Sequence, residues 1–81
     1  MDSRVAVISI IVEDGEAVSA LNSLLHEYNQ YIIGRMGIPY RERKIRIICL
    51  AIDAPNDRIN ALTGALGRIK GLKAKATYST V

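Results

Sequence analysis

The side chains in this sequence that can do chemistry are few, and they are scattered. His26 and Cys49 are its only histidine and its only cysteine. A structural or catalytic metal centre needs three or four well-chosen donors, so no metal site and no cofactor are expected within one chain. The two do not make a nucleophile and base pair either. Cys49 lies inside the apolar run Ile47-Ile48-Cys49-Leu50-Ala51, a setting in which a thiol is inert. With no acid–base pair in view, the chain does not read as an enzyme. One constellation remains, Gly34-Arg35-Met36-Gly37-Ile38, within the longer run Tyr31-Ile32-Ile33-Gly34-Arg35-Met36-Gly37-Ile38-Pro39-Tyr40. It lacks the glycine-to-lysine-serine spacing of a phosphate loop and does not lead into a helix. Its residues are strand formers interrupted by strand breakers, which suggests a bent edge strand that meets something. The glycines either form a bulge or admit the close approach of a backbone or a ligand. A guanidinium between two glycines on an edge favours the second reading, because it is well placed for a carboxylate or a partner's acidic group. Gly34, Arg35, Met36, Gly37 and Ile38 are therefore the candidate effector or interface residues.

The elements that must position this stretch follow from periodicity. Residues 4–13 alternate as a strand, with Ala6, Ile8, Ile10 and Val12 on one face and Val5, Val7 and Ile11 on the other. Residues 15–28 switch to helical spacing, with Ala17, Val18, Leu21, Leu24, Leu25 and Tyr28 on one stripe and Asp14 placed to cap the start. After the candidate stretch comes a polar turn at Arg41-Glu42-Arg43 and a second doubly apolar strand over 44–53, which makes a hairpin. In that strand Ile45, Ile47, Cys49 and Ala51 oppose Ile48, Leu50 and Ile52, and Arg46 is the exception. Pro55 suits the first turn of a second helix, with the stripe Ile59, Leu62, Leu66 and Ile69 and Gly71 as the stop. Residues 72–80 alternate as a last strand with one wet face.

Val18-Ser19-Ala20-Leu21-Asn22-Ser23-Leu24-Leu25 matches Ile59-Asn60-Ala61-Leu62-Thr63-Gly64-Ala65-Leu66 in type along the stripe. Two β-α-β halves interleaved in one antiparallel sheet give an α+β, ferredoxin-like βαββαβ domain over residues 1–81, both helices on one face. The first and third strands then occupy the centre and the glycine-broken strand an edge, where proline is tolerated. The helices cover one face only, yet both central strands are apolar on the other. A contiguous patch of that kind calls for a cover, and a second copy of the chain is the simplest one. A homo-oligomer, dimer or tetramer, is expected.

Composition bounds the rest. Eighty-one residues, 49% of them apolar, make one small domain, and a lone cysteine suits a reducing, cytoplasmic setting. The apolar run over 5–12 is too short to span a bilayer. The net charge is +3, with five basic and no acidic residues over 58–81 and a second cluster at Arg41, Arg43, Lys44 and Arg46. Such clusters attract nucleic acid or anionic metabolites, although no aromatic residues are interleaved among them. A solvated basic face is the plainer reading, and direct nucleic-acid binding is the alternative function.

The runs Arg4-Val5-Ala6-Val7, Ile11-Val12-Glu13-Asp14, Leu25-His26-Glu27-Tyr28, Tyr31-Ile32-Ile33-Gly34-Arg35-Met36-Gly37-Ile38-Pro39-Tyr40-Arg41, Asp53-Ala54-Pro55 and Ile59-Asn60-Ala61-Leu62 carry a likeness over nearly the whole chain. It resembles the iron-only hydrogenase system regulator family. The resemblance implies an ACT-like domain, similar to the ligand-sensing half of nickel-responsive repressors, that serves as a regulator. A small-molecule effector and a DNA or protein partner are the expected associates. Two departures from those repressors are expected: these residues read as the sensing half without a ribbon-helix-helix segment, and they lack the histidine and cysteine set that holds nickel.

Overall fold

A computed structural model of the chain describes residues 3–80. Strand β1 (Ser3–Val12) leads into helix α1 (Ala17–Glu27), and a short 3-10 turn (Asn29–Tyr31) delivers the chain to β2 (Ile32–Tyr40). A second 3-10 turn (Arg41–Arg43) closes the hairpin to β3 (Ile45–Pro55), followed by α2 (Asn56–Gly67) and β4 (Leu72–Tyr78). The four strands form one antiparallel sheet in the order β2-β3-β1-β4. This is the ferredoxin-like βαββαβ arrangement, with the doubly apolar strands in the centre. No helix among the described residues is long and apolar enough to cross a membrane.

Strand parity builds the core. Ala6, Ile8, Ile10 and Val12 of β1 stand opposite Ile52, Leu50, Ile48 and Arg46 of β3, and all but Arg46 are buried. Leu21 and Leu25 of α1 and Ile59, Leu62 and Leu66 of α2 close over them. The pairs Leu21/Leu62 and Leu25/Leu66 are those that the internal repeat aligns, so the repeat is a repeat of core contacts. Ser9, Cys49 and their neighbours of odd number lie on the other side of the sheet, which no helix covers.

The element ends differ from expectation for local reasons. Helix α1 starts at Ala17 rather than 15, because Asp14 bonds ahead of the helix: its Oδ1 accepts the Glu16 N–H at 3.0 Å, and its carbonyl accepts the Ala17 N–H at 2.9 Å. Glu16 itself supplies no side-chain cap. Strand β3 runs past Asp53 to Pro55, so the proline stands at the N-cap, one residue before the first turn of α2. Helix α2 stops at Gly67, and Gly71 works instead in the turn that follows. Its φ is +83°, its carbonyl accepts the Glu13 and Asp14 N–H groups at 2.7 and 3.2 Å, and a Cβ on it would run into the Asp14 side chain. This is the one glycine whose conformation and close packing both exclude a side chain.

Candidate functional site

β2 is the strand that the fold leaves least finished. It is hydrogen-bonded to β3 along one edge, and every residue over 33–40 is exposed. Ile32 pairs with Ile52 but Gly34 pairs with Ala51, so Ile33 is an extra residue, bulged out and 63% exposed. The expected irregularity thus lies beside Gly34, while at Gly37 the ladder runs on regularly opposite Ile48.

Parity divides the five candidate residues. Gly34, Met36 and Ile38 pair with Ala51, Cys49 and Ile47 on the open face of the sheet. Arg35 and Gly37 pair with Leu50 and Ile48, on the side toward the helices. Arg35, Gly37 and Ile38 nonetheless line one cleft, and Gly34 and Met36 lie outside it. Arg35 Nη2 donates to Asn22 Oδ1 of α1 at 3.5 Å, a long bond that leaves the guanidinium exposed. Neither glycine is required by the fold of the single chain: both lie outside the left-handed region, Gly34 faces open space, and a Cβ on Gly37 would meet Ile48 Cγ1 at an ordinary 3.9 Å. Among the described residues, no backbone atom beyond each glycine's chain neighbours lies within 4 Å of where either Cβ would stand.

On the helix side, α1 stops short of β2 and leaves a cleft of about 440 Å³. Its floor is Val12, Val18 and Ile48, and Gly37 opens it where a larger side chain would fill it. Four cations line it, Arg35, Arg41, Lys44 and Arg46, with no carboxylate among the lining residues. Three of these were read from the sequence as part of a solvated basic face. The signal that marks them out is Arg46, a charge on the same strand parity as the buried Ile48, Leu50 and Ile52. It pairs with the buried Val12 near the hairpin end of β3, where both line the cleft. Lys44 adds a second irregularity. It closes the β2–β3 hairpin with φ 55°, and it is the only described residue other than glycine with a positive φ.

The open face carries the other half of the candidate stretch. Val7 and Ile11 of β1, Ile47 of β3 and Met36, Ile38 and Tyr40 of β2 are each 37–57% exposed there. Lys73, Lys75 and Thr77 of β4 stand opposite Ile11, Ser9 and Val7, so the face is apolar across three strands and cationic along the fourth. Cys49 lies on this face and His26 on α1 beyond the other, so the sheet separates them. Among the described residues, no three of His, Cys, Asp and Glu gather closely enough to hold a metal ion.

Residues 4–76 match the TM1266-like family, described as "Iron-only hydrogenase system regulator, putative". The chain belongs to this family. The structure of the uncharacterized protein TM1266 from Thermotoga maritima superposes with a TM-score of 0.91 at 36% identity, over 95% of this chain and 98% of that one. A "Putative nickel-responsive regulator" from Saccharolobus solfataricus is 34% identical over 74 residues, 90% of this chain. The chain spans about half the length of that relative, 55%. A formyltetrahydrofolate deformylase from Pseudomonas putida shares the fold alone, with a TM-score of 0.64 at 13% identity over 90% of this chain and 28% of that one. The family likeness that the Gly-Arg-Met-Gly-Ile-Pro-Tyr run carries is therefore met along almost all of the chain.

Proposed function

We infer that this domain is an oligomeric, small-effector-sensing module of the iron-only hydrogenase system, and that it acts on a partner protein or on transcription. The observation that carries this reading is β2, which is exposed on both faces. Its open-face residues Met36 and Ile38 extend an apolar sheet surface suited to a second copy of the chain, and its helix-side residues Arg35 and Gly37 border the cleft. One strand between an assembly surface and a ligand cleft gives a simple mechanism. An effector that binds one packing of the subunits better than another shifts the population toward it, and the partner reads the shift.

The relative's name suggests nickel as the effector, but the ligand set of this chain does not support that extension, since His26 and Cys49 lie on opposite sides of the sheet. Direct nucleic-acid binding is the second reading, favoured by the basic hairpin end at Arg41, Arg43, Lys44 and Arg46. Affinity for a DNA duplex measured against salt separates the two. A steep fall between 50 and 200 mM salt, of the order of 10³-fold or more, marks several phosphate contacts. A flat, weak response leaves the effector reading in place. A native mass spectrum of the protein as purified tests that reading directly, through the subunit count and any retained small molecule.

A further inference from the structure

The geometry points to the cleft between α1 and the β2–β3 hairpin as a binding site for a small organic polyanion, one carrying at least two phosphate or carboxylate groups on a partly apolar body. This assignment rests on the effector-sensing reading and gives its ligand a chemistry. Arg35, Arg41, Lys44 and Arg46 all line a single concave space with an apolar floor. None of Arg41, Lys44 and Arg46 has an ion pair among the described residues, and Arg35 has only its long bond to Asn22. Like charges gathered in one cleft focus its field and repel one another until a counter-charge enters. Guanidinium groups suit planar or tetrahedral oxyanions, which they bind through paired N–H donors. More than one anionic group is needed because the cations come from two places, Arg35 from the middle of β2 and the other three from the hairpin end. The apolar floor of Val12, Val18 and Ile48 gives a carbon skeleton something to lie on, which a free inorganic ion would not use. Lys44 carries the second, independent observation. A left-handed backbone position at a hairpin end favours glycine or asparagine, and a lysine kept there is strain held beside a cluster of cations.

The test is a titration of the ¹⁵N-labelled full chain, with pyrophosphate in one arm and citrate in the other. Saturable shifts of the Gly15, Val18, Gly37 and Lys44 amides are expected in at least one arm, and the arm that saturates at lower concentration assigns phosphate or carboxylate. Arg46→Gln and Lys44→Gly should each weaken that binding about tenfold or more. Lys44→Gly should do so while raising the melting temperature, which loss of fold cannot do. Arg58→Gln, exposed on α2 and away from both the cleft and the open face, should leave affinity unchanged. Linear, unsaturated shifts in both arms would overturn the assignment, as would an equal loss of affinity in Arg58→Gln. So would a DNA duplex that moves the same amides and displaces both anions. A retained effector whose shifts fall on Ile11, Met36 and Ile38 would remove this site while leaving the sensing reading intact. Saturable anion binding by a protein that stays monomeric would do the reverse.

Discussion

At the scale of single residues, two backbone positions with positive φ carry opposite demands. At Gly71 the left-handed turn and the packing against Asp14 reinforce each other, so Gly71→Ala should cost about 2–4 kcal/mol, one or two for the backbone and the rest for displacing the β1–α1 loop. Urea denaturation of the two proteins measures it, and a loss below ~0.5 kcal/mol would mean that the loop gives way freely. At Lys44 the preference is reversed. Replacement by glycine relieves the backbone and should stabilise the fold by about 0.5–1 kcal/mol, and the same denaturation series reads it. Arg35→Ala removes an exposed guanidinium with one long hydrogen bond, so stability should change by less than ~0.5 kcal/mol. Effector affinity in that variant should fall by about 1.5–3 kcal/mol if the contact is charge-assisted. A stability loss larger than the binding loss would make Arg35 a structural residue.

At the scale of elements, most of the fold was legible because the sequence repeats its core contacts. Apolar alternation in β1 and β3 and the matching stripes of α1 and α2 leave few ways to build the sheet, and the βαββαβ order follows. The ends were less legible, since they depend on single hydrogen bonds: the Asp14 carboxylate bonding ahead of α1, and the Gly71 carbonyl taking two N–H groups from another loop. The candidate site was half legible. The Gly34–Ile38 stretch stands out by composition, but in a strand its members alternate between two faces, and of the five only Arg35, Gly37 and Ile38 line the cleft. The cations that share the cleft with Arg35 come from β3 and the hairpin, and only the register brings them together. A strand-level prediction follows from the same parity. Val7 and Ile11 are 46% and 40% exposed in the single chain, so Val7→Asp and Ile11→Asp should leave the isolated domain folded. In an oligomer that covers them, the same charge is buried without a partner and should weaken assembly by ~3 kcal/mol or more, over 100-fold in dissociation constant. Circular dichroism alongside sedimentation separates the two effects. Variants that unfold outright would place these residues in the core of the single chain instead.

At the scale of the whole molecule, the shape is open for its mass. The chain exposes 5563 Å², whereas a compact 8.9 kDa monomer exposes about 4800 Å². Its long axis is 42 Å against 19 and 17 Å for the other two. The surplus, roughly 750 Å², is close to one partner's share of a standard protein interface. An isolated domain of this size buries little apolar surface to spare, and leaving Val7, Ile11, Ile47, Met36 and Ile38 in water wastes part of it. Assembly through the open face would recover that surface, and it would couple β2 in one subunit to the neighbour that covers it. The proposed effector cleft, bordered by the same strand, would then respond to assembly and influence it in turn, since coupling between two sites is reciprocal. Native mass spectrometry of the gently purified full chain, before and after exchange into pyrophosphate or citrate, tests this most directly. A dimer or higher multiple of 8.9 kDa, with a distribution that shifts when the anion is bound, is the expected result. An 8.9 kDa monomer at micromolar concentration, with the same spectrum in every buffer, would contradict it.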